Sequence, residues 1–379
     1  MRKFSIEFKG RENFKEKVSD IELVSMNGMS PQDKILLKEI EKTKNLGEIL
    51  VILDSQGFIT GILRMLNPDN QITSWNYDKY SIDNLKYVMK ANDLKKITYS
   101  CMKDLPEKKF DTIFLSTKAE GITELIQDII IQCFNSLKLN GKLFLSTNNP
   151  EDRFFQRNMK EAFGSVTIAD HSRRARLYIS RKHSEKQIPD KSKIWRIDFN
   201  FRGKEFVFKT RAGIFSHKEI DEGSLALLEI LIPSLNEIPD FQSIADIGCG
   251  YGILGIVSAS FINPSELLLM DSNTRAISMT KENVKLNKLK PDKLIIVDSQ
   301  EKSGEDKYSL ALINPPYYGN FKIARRLLQI ASEILLNDGV VFMVGKEKKN
   351  HQAIMEEFFK EITITDRRGF SIFKGNNKK

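Results

Sequence analysis

The sequence predicts two tandem α/β domains, each a mostly parallel, doubly wound sheet with helices on both faces. Three observations carry this prediction. The chain has 379 residues, 41% of them hydrophobic, which is enough for two cores of ordinary size. Short apolar runs of strand length alternate with longer helical stretches. Segments of the first half also return in the second at a near-constant separation.

The repeat is visible in three places. Phe110–Lys118 aligns with Tyr308–Pro316, Leu139–Leu145 with Asn337–Met343, and Phe163–Asp170 with Phe359–Asp366. This is one strand–helix design used twice, not a short solenoid repeat. The expected division is a first domain over 1–185, a basic linker over 186–204 and a second domain over 205–379.

In the second half, Ser243–Ile247 is an apolar strand that runs into Gly248-Cys249-Gly250-Tyr251-Gly252 and then into a helix. Gly248, Gly250 and Gly252 permit positive φ and put no Cβ between the backbone and a ligand. Asp246, at the strand end, can accept from a cationic amine directly or through water. The next strand, Leu267–Met270, ends in Asp271, an acid placed to take two ribose hydroxyls. A third, Leu294–Val297, ends in Asp298-Ser299, placed to accept from an adenine amine. The fourth, Leu310–Ile313, opens into Asn314-Pro315-Pro316-Tyr317. Two prolines remove two donors and fix two φ angles, so the Asn amide and the aromatic ring are held in set directions. The amide oxygen and a nearby carbonyl can each accept one hydrogen of a planar NH2 group while the ring stacks on its plane. Alone, the tetrapeptide is also compatible with a proline-stiffened strand end capped by an Asn.

Taken in order, these four strand ends resemble the class I S-adenosylmethionine-dependent methyltransferases, over about residues 205–375. Gly250–Gly255 also spells the G-x-G-x-x-G dinucleotide pattern, but that reading leaves Asn314-Pro315-Pro316-Tyr317 without a use. The resemblance implies Rossmann-like domains, S-adenosylmethionine as cofactor, Asp246, Gly248, Gly250, Gly252, Asp271 and Asp298 as cofactor residues, and Asn314, Pro315, Pro316 and Tyr317 as catalytic residues. In the first copy Asn-Pro-Pro has become Ser116-Thr117-Lys118, and the glycine turn has become Asp54-Ser55-Gln56-Gly57. That half keeps the strands and lacks the chemistry.

A doubled methyltransferase with a degenerate first half is similar to the bacterial ribosomal RNA guanine-N2 methyltransferases. Phe208–Ser216 followed by Asp221-Glu222-Gly223-Ser224 looks like that family's lead-in to the first catalytic helix. Family members commonly carry Asn-Pro-Pro-Phe followed by His, whereas here Tyr317 replaces the Phe and Tyr318-Gly319 replaces the His. The resemblance implies methyl transfer to the N2 amine of a guanine in ribosomal RNA or an assembled subunit, by a cytoplasmic monomer. Asn-Pro-Pro-Tyr also occurs in enzymes methylating glutamine amides of proteins or adenine N6 of nucleic acids, so these stay open as alternatives. The first domain would bind RNA or serve as a scaffold.

Charge agrees with a polyanionic partner. The net charge is +9, and cations crowd His171–Arg196, among them Arg173, Arg174, Arg176, Arg181 and Lys182. Arg174 and Arg176 alternate at strand period ahead of Leu177-Tyr178-Ile179, which predicts a shared face for phosphate beside a cleft between the domains. A solvated, lysine-rich linker accounts equally for the run as a whole. The three cysteines and four histidines have neither pairing nor metal-ligand spacing, so no metal is expected. No apolar run reaches the length of a membrane span, and no targeting segment is expected at the amino terminus.

Overall fold

The computed structural model describes residues 5–9, 15–19, 29–118, 123–189, 193–235, 242–298, 308–316 and 321–378. The chain divides into two compact units, residues 1–192 and 193–379. The first contains β1 (Ser5–Lys9), β2 (Lys15–Ser19), α1 (Pro31–Lys42), β3 (Ile49–Ile52), α2 (Phe58–Leu66), β4 (Ile72–Asn76) and α3 (Lys79–Ala91). It continues with β5 (Ile97–Cys101), β6 (Phe110–Thr117), α4 (Thr123–Ser136), β7 (Leu137–Thr147), α5 (Phe154–Phe163), β8 (Thr167–Ser172) and β9 (Ala175–Arg181). β1 and β2 form an antiparallel pair, and the other strands form one sheet in the order β5-β4-β3-β6-β7-β9-β8.

The second unit begins with β10 (Ile194–Phe201) and β11 (Lys204–Arg211), paired antiparallel. Then come α6 (Glu222–Ser234), β12 (Ser243–Ile247), α7 (Ile253–Ile262), β13 (Glu266–Met270), α8 (Thr274–Leu286), β14 (Lys293–Val297) and β15 (Tyr308–Ile313). The chain ends with α9 (Lys322–Ile334), β16 (Leu335–Gly345), α10 (Lys348–Phe358), β17 (Phe359–Arg367) and β18 (Phe370–Asn377). Seven of these strands form a sheet in the order β14-β13-β12-β15-β16-β18-β17, the same path as in the first unit. All neighbours are parallel except β18, which runs against β16 and β17.

Side-chain alternation explains why both faces of this sheet are covered. Ile244, Leu267, Leu269, Leu310 and Leu312 belong to one core with residues of α6, α7 and α8. Their neighbours Ala245, Leu268, Met270, Ala311 and Ile313 belong to a second core with residues of α9. A strand with both faces apolar reads as an unbroken hydrophobic run, and Leu310–Ile313 is one.

The duplication extends to hydrogen-bond register. Phe110 pairs with Leu137 and Thr112 with Lys142, with a register shift between them; Tyr308 pairs with Leu335 and Leu310 with Val340, with the same shift. Ile49 lies opposite Thr112 as Ile244 lies opposite Leu310. These registers put Leu53, Ser55 and Gly57 at the places of Gly248, Gly250 and Gly252, and Ser116 at the place of Asn314.

The expected linker over 186–204 needs one correction: Ile194–Phe201 is a strand of the second unit, paired residue for residue with Lys204–Arg211. Its apolar side chains Trp195, Ile197, Phe199 and Phe201 alternate with Ile194, Arg196, Asp198 and Asn200 on the other face.

Helix α7 packs close to the sheet because Gly255 has no side chain. A Cβ there would lie 2.3 Å from Leu269 Cδ2 and 3.0 Å from Asp246 Cβ. Gly255→Ala is therefore expected to destabilise the second unit by about 1–3 kcal/mol, the usual cost of overpacking. Trp195 fluorescence in a Trp75→Phe background reads this as a lowered unfolding midpoint; an unchanged midpoint contradicts the close packing.

Candidate active site at the carboxyl ends of the second sheet

Strand order reverses around β12, which lies between β13 and β15. The connections leaving β12 and β15 diverge there, opening the crevice in which doubly wound sheets hold ligands. The glycine turn leaves one of these strands and Asn314-Pro315-Pro316 the other.

The turn is built as its glycines require. Gly248, Gly250 and Gly252 have φ of +82°, +57° and +94°. The N–H groups of Gly248 and Cys249 both donate to Met270 O (2.8 and 3.0 Å), and Thr280 Oγ1 donates to Gly250 O (2.8 Å), so the loop is tied to β13 and α8. A Cβ on Gly250 would meet nothing within 4 Å among the described residues, as close approach of a ligand needs. Asp271 is half-buried; its Oδ2 accepts from Gly250 N–H (2.8 Å) and its Oδ1 from Asn273 N–H (2.8 Å). Asp298 is exposed at the end of β14. These residues fit a nucleoside-bearing cofactor laid against the main chain.

Asp246 is 1% exposed, and its Oδ2 accepts from Gly255 N–H (2.7 Å). The carboxylate thus sits under the first turn of α7 and satisfies one of its free donors. Burial pushes its pKa up to about 7, with the Asp271 charge adding to the rise and the Gly255 hydrogen bond opposing it.

At the fourth strand end, Asn314 Nδ2 donates to Asp221 Oδ2 (2.7 Å) and to Ser224 Oγ (2.8 Å). Asp221 is the N-cap of α6, the same oxygen accepting Ser224 N–H at 2.8 Å. Asn314 Oδ1 is buried and has no hydrogen-bond partner among the described residues. A buried acceptor left unpaired costs free energy, and such an atom is a place for a ligand donor. The Tyr251 hydroxyl is also buried without a partner among the described residues; burial and, secondarily, the Asp221 charge raise its pKa, which keeps it a neutral donor. Pro315 is buried and Pro316 half-buried. Tyr317, Tyr318 and Gly319 lie outside the described residues, as does Ser299.

Asp221 and Ser224 enter the motif reading of the sequence only as part of the lead-in to the first catalytic helix, with no contact assigned, and Thr280 does not enter it. The first two follow a helix-cap pattern, Asp-x-x-Ser, which signals a helix start but not its contact with a strand end about 90 residues away. In the basic run, Arg173 and Arg174 are both exposed in the turn between β8 and β9. Arg176 is the one on the strand: it is half-buried and donates from Nη1 to Asp152 O (3.2 Å). The shared strand face expected for Arg174 and Arg176 is therefore replaced by an exposed pair, Arg173 and Arg174.

In the first unit, Leu53 takes the left-handed conformation of Gly248 (φ +62°), and Gly57 keeps that of Gly252 (φ +81°). The Asp54 carboxylate accepts from Gly57 N–H (2.9 Å) and Thr60 N–H (2.7 Å), so an internal anion takes the free donors at the start of α2. Burial raises its pKa to about 6.

The raised pKa of Asp246 predicts a sign for stability against pH. The folded protein holds this proton up to about pH 7, while the unfolded chain releases it near pH 4, so stability from this group is full at low pH and is lost as pH rises through 7. Asp246→Asn can still accept from Gly255 N–H. It is expected to gain stability relative to the parent between pH 4 and pH 7, measured by urea unfolding; equal slopes in the two proteins contradict the assignment.

The Methyltransferase small domain family matches residues 19–178 and again 205–374. Bacillus subtilis (strain 168) protein YbxB is 29% identical over 202 residues, 52% of this chain and 96% of its own length. A protein named Ribosomal RNA small subunit methyltransferase C from Vibrio vulnificus is 28% identical over 221 residues, 57% of this chain and 63% of its own length. Among solved structures, the T. thermophilus 16S rRNA N2 methyltransferase RsmC, in complex with AdoMet and guanosine, superposes with a TM-score of 0.75 at 19% identity, covering 92% of both chains. That likeness establishes the two-domain fold. With its two matches, the chain belongs to the Methyltransferase small domain family, in class I architecture and with S-adenosylmethionine as its cofactor.

Proposed function

We propose that this protein transfers a methyl group from S-adenosylmethionine to the exocyclic N2 amine of a guanine in ribosomal RNA, and that the second unit performs the chemistry. The observation that carries the reading is the buried oxygen of Asn314, without a partner among the described residues, at the same sheet end as the glycine turn. It is an acceptor waiting for a donor, which suits an NH2 group. The names borne by the Vibrio and T. thermophilus relatives favour ribosomal RNA and guanine N2 among the NH2-bearing substrates.

The cofactor supplies an electrophilic methyl group on a sulfonium. Gly248, Gly250 and Gly252 let it lie against the backbone, Asp271 takes the ribose hydroxyls and Asp298 the adenine amine. Asn314 Oδ1 and the carbonyl of Pro315 each accept one hydrogen of the guanine amine, which draws its lone pair out of ring conjugation. Pro316 stiffens the loop and Tyr317 stacks on the base. Positioning supplies most of the acceleration, so no strongly basic side chain is required, and the proton shed by the methylated amine passes to water. A target inside a helix must first leave its stack, at a cost of a few kcal/mol that helps select it. Arg173 and Arg174, exposed together in the β8–β9 turn, supply sequence-independent contacts to phosphate.

Cofactor binding is tested by calorimetry. Gly250→Val, which adds a branched Cβ at a positive φ, and Asp271→Ala are both expected to weaken S-adenosylmethionine at least tenfold, whereas Asp54→Asn is expected to leave affinity unchanged. Undiminished affinity in Gly250→Val and Asp271→Ala contradicts the cofactor assignment.

Catalysis is tested by methyl incorporation into ribosomal RNA and subunits, compared with protein and duplex DNA, with the product base identified by mass spectrometry. Asn314→Ala is expected to abolish transfer at near-normal cofactor affinity. Tyr317→Ala loses a stacking contact of about 1–3 kcal/mol and should turn over roughly tenfold to a hundredfold more slowly, while Tyr317→Phe is tolerated. Neutralising Arg173 and Arg174 together is expected to weaken RNA binding and flatten its salt dependence. Methylglutamine or N6-methyladenine as product contradicts the guanine assignment; full activity of Asn314→Ala contradicts the mechanism.

A further inference from the structure

We infer that Asp221 and Ser224 are positioning residues that fix the Asn314 side-chain amide with its oxygen toward the methyl acceptor. The inference rests on the proposed role of Asn314 and names what makes that role possible. A primary amide has two orientations that differ by exchange of oxygen and nitrogen, and only one offers an acceptor to an incoming amine. Both Nδ2 hydrogens are committed, one to Asp221 Oδ2 at 2.7 Å and one to Ser224 Oγ at 2.8 Å. An ionised carboxylate is only an acceptor, so the flipped amide would set Oδ1 against Asp221 Oδ2 with no hydrogen between them. The partners are themselves held. Asp221 Oδ2 also accepts Ser224 N–H at 2.8 Å, Ser224 is buried, and both begin helix α6. What remains is Oδ1, buried and without a partner among the described residues.

The first unit shows the same junction without this function. Ser30 caps α1, Asp33 stands three residues on, and Ser116 occupies the place of Asn314. Here the acid and the hydroxyl have exchanged positions. Ser30 Oγ donates to Asp33 Oδ2 (2.5 Å), and Ser116 Oγ donates to Asp33 Oδ1. The helix start and strand end are still joined through a carboxylate, but Ser116 has no amide oxygen to offer. The contact between helix cap and strand end is thus common to both units, while an amide held by two acceptors belongs to the second alone.

Capping by itself does not require this geometry, and the two roles separate experimentally. Asp221→Ser retains a good N-cap and Asp221→Asn retains both the cap and an acceptor oxygen; Ser224→Ala removes only the second acceptor. The Asn314 side-chain amide is observed by 15N NMR in the full chain, assigned as the resonance absent from Asn314→Ala. Exchange of its two protons with water is expected to be slow in the parent and at least tenfold faster for one proton in Asp221→Ser and in Ser224→Ala. Turnover with ribosomal RNA is expected to fall about tenfold in each, the scale of one lost hydrogen bond, with cofactor affinity and thermal midpoint near the parent values. Asp221→Asn is expected to recover most of both signals. Unchanged exchange in Asp221→Ser and Ser224→Ala overturns the inference, as does faster exchange with undiminished turnover when Asn314→Ala is inactive. If Asn314→Ala is itself fully active, the proposed role of Asn314 fails, while the exchange rates still report whether Asp221 and Ser224 hold the amide.

Discussion

One carboxylate oxygen, Asp221 Oδ2, accepts both the N–H that opens α6 and the amide that closes β15. This shared acceptor joins a helix start to a strand end that neither local segment could hold alone. A surface hydrogen bond of this kind would contribute little, because water competes for both groups. At this partly buried strand end water competes less, and leaving Asn314 Nδ2 unpaired would carry part of the cost of its desolvation. Asn314 Oδ1 is left without a partner among the described residues while the rest of the amide is fixed around it. The reversal of strand order beside β12 supplies the complementary wall, where Asp271 and Thr280 hold the glycine turn from the other side.

Comparison of the two units separates what the fold needs from what the chemistry needs. Both keep the strand order, the register shift in the fourth parallel strand and a glycine at the helix start with φ above +80°. Those features close a sheet and start a helix, so the fold needs them in both units. The places of Gly248 and Gly250 carry Leu53 and Ser55 in the first unit, and Asp54 turns inward to take the helix donors. The Asp54 carboxylate is thereby a good cap for α2. The first unit has thus kept the geometry of a cofactor domain and satisfied its backbone from within.

The features legible in the sequence were those whose physics is local. The glycine turn and Asn314-Pro315-Pro316 constrain their own backbone, so their spacing announced a strand end, a close approach and a fixed amide. Alternation of two-sided apolar runs announced helices on both faces. The contact of Asp221 and Ser224 with Asn314 was not legible, because the segment reads as a lead-in to a helix and its partner is brought in only by the folded sheet. Strand β10 was legible and overlooked: Trp195, Ile197, Phe199 and Phe201 alternate cleanly, but neighbouring lysines and arginines dominated the composition and suggested a linker. Alternation also misled once, since Arg173 and Arg174 form the turn of the β8–β9 hairpin and only Arg176 stands on the strand.

The central claim is that the amide oxygen of Asn314 receives the amine that becomes methylated, and that this amine is guanine N2. It is tested most directly by mapping modified nucleosides in ribosomal RNA from cells lacking the protein, complemented with either the parent chain or Asn314→Ala. The account predicts one N2-methylguanosine that disappears on deletion, returns with the parent chain and stays absent with the variant. An unchanged set of methylated guanines on deletion, or restoration by Asn314→Ala, would contradict it.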